Sequence, residues 1–152
     1  MPVTTDHAFC VADRWYAAWN ARSVERVLAC YASDAELLSP LVGAVMGCRA
    51  ERVRGRGALA EYLTLVFRRF PDLHLEPQLV LVGADGLSLH YHMLGMLVVT
   101  ETLELDAGLR IVRAAAHFAT TLLSDREAEA AALPACRRRP GASERRPGWR
   151  AA

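Results

Sequence analysis

A chain of 152 residues that is 53% hydrophobic and carries a net charge of +1 is one domain's length and has ample material for a core. That balance excludes a chain whose overall charge demands nucleic acid or an anionic membrane as partner. Seven of the eighteen basic residues, and four of the seventeen acidic ones, fall in residues 124–152, leaving a mildly acidic body over residues 1–123. Every basic residue is arginine, which beside so much alanine reads as codon bias in a GC-rich genome.

Cys10, Cys30, Cys48 and Cys136 form no CxxC pair, so they read as reduced thiols in a cytoplasm. The opening MPVTTDHAFC lacks the pattern of a signal peptide, and no apolar run approaches the ~20 residues of a membrane span. The expectation is a cytoplasmic protein with no membrane and no nucleic acid among its partners.

In chain order, Asp6 is a candidate cap for a first helix. Phe9, Ala12, Tyr16 and Trp19 recur there at helical spacing, widened by Val11, Trp15 and Ala18. Ser23 caps a short second helix with Val24, Val27, Leu28 and Tyr31 inward. Ser33-Asp34 launches a strand from Ala35 to Ser39, stopped by Pro40, and residues 41–57, with four glycines, read as a loop. Leu59, Tyr62, Leu63, Val66 and Phe70 mark a third helix, ended by Phe70-Pro71-Asp72.

The period then changes from about 3.6 to 2. Strands are expected over Leu73–Val82, Leu87–Leu94, Leu97–Leu105 and Leu109 to about Leu123. Pro77 marks the first of them as an edge or a bulge. Ala84-Asp85-Gly86, Gly95-Met96 and Asp106-Ala107-Gly108 are the turns between them. Helices followed by an antiparallel meander give an α+β class, without parallel crossover units. From Ser124 onward, Arg-Pro-Gly breaks and few aliphatics predict a disordered tail over 124–152.

Alternation assigns sheet faces. Leu97, Val99, Leu103 and Leu105 share one face with Glu101; Leu87, Leu89, Tyr91 and Met93 share another; Val112, Ala114, Ala116 and Phe118 make a third row. The opposite rows carry His90, His92, Val98, Thr100, Thr102, Ile111, Arg113, Ala115 and His117. Three strands thus present an apolar wall holding one carboxyl, Glu101, and one phenol, Tyr91. An inward carboxyl is costly unless it is paired, protonated or facing a wet cavity.

The runs Trp15-Tyr16-Ala17-Ala18-Trp19-Asn20, Tyr31-Ala32-Ser33-Asp34-Ala35 and Ser39-Pro40 carry a resemblance to a known superfamily. Arg54-Gly55-Arg56-Gly57-Ala58-Leu59, Phe70-Pro71-Asp72-Leu73 and Leu105-Asp106-Ala107-Gly108 strengthen it. Together they resemble the nuclear transport factor 2-like superfamily, and within it SnoaL-like and ketosteroid-isomerase-like proteins, over about residues 7–120. The resemblance implies a cystatin-like α+β cone: a curved antiparallel sheet wrapped around N-terminal helices, with a pocket between them and a dimer through the outer sheet face. It also implies what is missing. Ser39 stands where ketosteroid isomerases place an Asp base, and Trp15 where they place an oxyanion-hole tyrosine. Glu101 stands for their protonated Asp. Epoxide hydrolases of this fold pair an arginine with an Asp two residues on, where this chain has Val99 before Glu101. Their second carboxylate, on the last strand, meets Ala116.

Glu101 and Tyr91 are therefore the candidate catalytic pair, a general acid or base and a hydrogen-bond donor. The competing reading makes them a structural carboxyl and a satisfied core phenol. Trp15, Trp19, Tyr31, Ser39, Tyr62, Leu89, Ala114, Ala116 and Phe118 are expected to line the pocket. His90, His92 and His117 face outward without a carboxylate or cysteine to complete a set, so no metal is expected, and no motif calls for a cofactor. The expected partners are a small hydrophobic molecule and a second copy of the chain. The function indicated is isomerisation or cyclisation of an apolar, oxygenated compound, polyketide-like or steroid-like, by proton transfer. The alternative is a non-enzymatic binding or dimerisation module on the same scaffold.

Overall fold

The structure is a computed structural model and describes residues 2–95 and 97–119; the tail expected over 124–152 lies outside them. Four helices and six strands follow one another as α1 (Thr5–Asn20), α2 (Val24–Cys30), β1 (Tyr31–Leu38), α3 (Pro40–Met46), β2 (Arg52–Arg54), α4 (Arg56–Arg69), β3 (Glu76–Val82), β4 (Gly86–Met93), β5 (Leu97–Leu105) and β6 (Ile111–Phe118). The strands form one curved, unclosed sheet in the order β2-β1-β6-β5-β4-β3, and the fold is α+β as expected.

The cap of α1 is Thr4, not Asp6. The Thr4 hydroxyl accepts from the His7 N–H, and the Thr4 N–H donates back to His7 Nδ1. Asp6 sits in the first turn, where the positive helix end favours a carboxylate. Phe9, expected on the inner stripe, is 51% exposed, because the buried arc of α1 centres on Val11, Trp15 and Ala18. Ser23 caps α2 as expected, accepting from the Arg26 N–H. Tyr31 is not the last inner residue of that helix; it opens β1, which starts four residues before the expected strand.

The segment 41–57 is not one loop. Ser39 caps α3 with Pro40 in its first turn, and Gly47 ends the helix at φ 67°. The short β2 then pairs with β1. A second difference is larger: β1 runs parallel to β6, so the sheet is mixed. These two strands are about 70 residues apart, and nothing in local periodicity reports which distant strands meet.

Strands β3 to β6 form the expected antiparallel meander. Pro77 sits on the edge strand β3 beside a register shift, where a missing N–H costs no ladder bond. On β6 one residue points to the opposite face from the one alternation predicts. A register shift between Glu104 and Leu105 inserts an extra β6 residue, so Ile111 pairs with Leu105 and is fully buried rather than outward. The core lies between the helices and the inner sheet face, around Val11, Trp15, Val27, Leu63, Leu89, Val99, Leu103 and Ile111. Each such side chain contributes roughly 1.5–3 kcal/mol by its burial.

Candidate active-site cavity

Glu101 lies mid-strand in β5, opposite Leu89 on one side and Ala116 on the other. The alternation of β5 turns it inward, and only 3% of it is exposed. Tyr91, diagonal to it on β4, donates its O–H to Glu101 Oε2 at 2.8 Å. The Glu101 carboxyl stands at about 7 instead of 4.5, because burial drives it up further than the Tyr91 hydrogen bond, which favours the carboxylate, holds it down. Tyr91 itself is held well above the ordinary phenol value, first by burial and then by the negative charge of Glu101. The pair therefore exchanges one proton near neutrality, and that proton belongs to the carboxyl.

A cavity of about 30 Å³ opens beside this pair. That is room for about two waters. Trp19, Ser39, Tyr62, Tyr91, Glu101, Ala116 and Phe118 line it, together with Leu37, Leu41, Val66, Leu73, Leu75 and Met93. Trp15, Tyr31, Leu89 and Ala114 were expected in the lining and are not there; all four are buried in the packed core. Trp15 is committed elsewhere, because its indole N–H donates to the Tyr31 hydroxyl at 3.2 Å. Ser39 lines the cavity while its hydroxyl accepts from the Leu41 N–H and so begins α3. Three of the lining residues missed by sequence reasoning have local causes. Leu41 lay in the supposed loop, although Ser-Pro is a helix start, and Leu73 and Leu75 alternate inward just ahead of β3.

All four tyrosines of the chain are buried. Tyr16, Tyr31, Tyr62 and Tyr91 are each raised first by burial and further by the Glu101 charge. The carboxyl therefore sits inside an aromatic box. Among the described residues, the Tyr16 hydroxyl and the Trp19 indole N–H are buried without a hydrogen-bond partner.

His90 and His92 on β4 and His117 on β6 lie on the outer sheet face with β5 between them. Among the described residues no group of three or more His, Cys, Asp and Glu side chains converges on a common point. No helix among them is long and apolar enough to cross a membrane.

The profile of the SnoaL-like domain matches residues 12–122. The chain belongs to the SnoaL-like family. A crystal structure of a SnoaL-like protein of unknown function from Burkholderia thailandensis is 31% identical, with a TM-score of 0.73 over 78% of this chain and 99% of that one. A protein of unknown function with a cystatin-like fold from Methylobium petroleophilum superimposes with a TM-score of 0.65 at 14% identity, over 82% of this chain and 84% of that one. The epoxide hydrolase/cyclase-like enzyme SalBIII, with a role in pyran ring formation in the polyether salinomycin, gives a TM-score of 0.61 at 12% identity, over 76% of this chain and 93% of that one. At those identities the last two show a shared fold alone. No curated protein matches the sequence. In this SnoaL-like domain the cavity carries a single carboxylate among its lining residues, Glu101.

Proposed function

We propose that this SnoaL-like domain takes a small apolar, oxygen-bearing molecule into the cavity and moves a proton on it, with Glu101 as acid and base. The observation that carries the reading is the Glu101–Tyr91 pair: a fully buried carboxyl, pushed up to about 7, opening onto a cavity. A carboxyl raised toward neutrality has both its carboxylate and its acid form within reach near neutral pH, which suits a group that must both take and return a proton. For an unsaturated ketone the step balances without a co-reactant. In a β,γ-unsaturated ketone the C–H bond between the carbonyl and the double bond breaks, its electron pair enters the dienolate, and its proton passes to Glu101. The same proton returns to a different carbon, and the net change is an isomerisation. Ring closure onto a polarised carbon uses the same transfers. Tyr91 holds the carboxyl in place and favours its charged form.

A second reading, a non-catalytic binding module, draws support from the cavity volume. Space for two waters is far below the ~300 Å³ of an ordinary ligand pocket, so an organic ligand enters only as the lining side chains shift. Deuterium uptake into 2-cyclohexen-1-one from heavy water separates the two. Exchange catalysed by the wild-type protein and abolished by Glu101→Gln supports proton transfer, because Gln bonds like Glu but carries no exchangeable acid. Binding without exchange in the wild-type protein transfers the case to the binding module.

A further inference from the structure

Trp15 and Trp19 stand one helical turn apart on α1 with ring centroids 5.6 Å apart, yet their indole N–H groups have different fates. That of Trp15 is satisfied by the Tyr31 hydroxyl. Trp19 is 8% exposed and packs edge-on to Phe67 at 5.6 Å, but its N–H has no partner among the described residues. A phenylalanine would supply the same apolar packing at this position without a stranded donor. Buried donors are almost always paired, so an orphan facing a cavity calls for a partner. Trp19 is also a lining residue of the Glu101 cavity. The other orphan, Tyr16, is not; it lines the surface groove between α1 and β3.

Among the other polar groups of the cavity wall, the Tyr62 hydroxyl lies beside Ser39. The Tyr91 O–H is given to Glu101, and the Ser39 hydroxyl accepts from the Leu41 N–H. The wall thus offers an uncommitted donor, Trp19, and a proton-accepting carboxylate, Glu101. We infer that the Trp19 indole N–H donates to the acceptor oxygen of the same molecule on which Glu101 works, and so selects carbonyl compounds with an acidic C–H or O–H close to the carbonyl. This assignment rests on the proposed role of Glu101 and names the substrate class of that site. Simple alkenes lack the acceptor, and simple ethers lack the acidic proton. In the proton-transfer step the enolate charge develops on the oxygen that Trp19 holds, so the bond strengthens as the C–H bond breaks.

The test is the indole region of a proton–nitrogen correlation spectrum of the full chain. Trp19→Phe identifies the Trp19 resonance; if that variant does not fold, Trp15→Phe and Trp149→Phe identify it by elimination. Saturating 2-cyclohexen-1-one moves the Trp19 indole proton downfield, while cyclohexene, of the same shape but without the oxygen, does not. Trp19→Phe also lowers kcat/KM for deuterium uptake into the ketone by about tenfold, the scale of one lost hydrogen bond. A Trp19 indole proton unmoved by the ketone overturns the inference, and does so even if Glu101-dependent exchange persists. The converse result, a shift with exchange that survives Glu101→Gln, leaves Trp19 as the oxygen-reading group and removes Glu101 as the acid and base.

Discussion

A carboxyl enclosed by aromatic rings couples folding to its own proton. Glu101 titrates near 4.5 in an unfolded chain and near 7 in the fold, so between those values the unfolded chain has released a proton that the folded one keeps. Its contribution to stability is complete below pH 4.5 and is lost as pH rises toward 7, a total of ~3 kcal/mol at 1.36 kcal/mol per unit. Glu101→Gln abolishes this slope, and urea midpoints measured from pH 4.5 to 8 should fall less steeply for the variant than for wild type. Tyr91→Phe acts in the opposite sense on the carboxyl. Its hydrogen bond holds Glu101 down, so its removal raises the carboxyl above about 7. Carbon NMR of the Glu101 carboxyl should show that higher midpoint; an unchanged or lower one would mean the bond contributes nothing to the carboxylate.

At the scale of elements, the cavity depends on how α1 is tied to the strand that follows α4. Asn20 makes both ties: its side-chain amide donates to the Leu75 carbonyl at 3.0 Å, and its oxygen accepts from the Leu75 N–H at 2.8 Å. Leu73 and Leu75 line the cavity, so this clamp also fixes one of its walls. Asn20→Ala leaves a half-buried N–H and C=O without those partners and should cost about 2 kcal/mol in urea denaturation. A change below ~0.5 kcal/mol would show that water replaces the clamp. Much of this layer was legible in the sequence. The inward positions of Glu101, Tyr91 and Ala116 follow from period-2 alternation within β4, β5 and β6, a signal each strand carries alone. The errors have equally local causes. Ser39-Pro40 and Gly47 bracket a helix, but the glycines beyond obscured its short apolar stretch. The β6 bulge reversed the side on which Ile111 points, because alternation counted along one strand does not register an extra residue.

At the scale of the molecule, pairing across distance escapes sequence reasoning. β1 joins the sheet beside β2 by lying parallel to β6, a strand from the far end of the chain. The outer face is where this sheet meets whatever lies outside the domain. It presents half-buried His90, His92, Val98, Thr100 and Thr102, with Arg113 bridging Glu36 and Glu104 at its border. Leu79 and Leu81 on β3 register with His90 and Ser88, which puts them on the same face, and they are 51% and 48% exposed. Paired leucines so exposed beside a mixed polar surface suit an interface with an apolar centre and a polar rim. We propose a homodimer through this face. Light scattering at micromolar concentration should then give twice the 16.7 kDa of one chain. Thr102, opposite Ser88 and Ala115, stands in the middle of the face. Thr102→Arg would bring like charges together across a two-fold axis and should return the mass to one chain. A wild-type mass of one chain removes the proposal. A dimer indifferent to Thr102→Arg places the interface on another surface, and leaves Leu79 and Leu81 on an edge strand guarded from further pairing by Pro77.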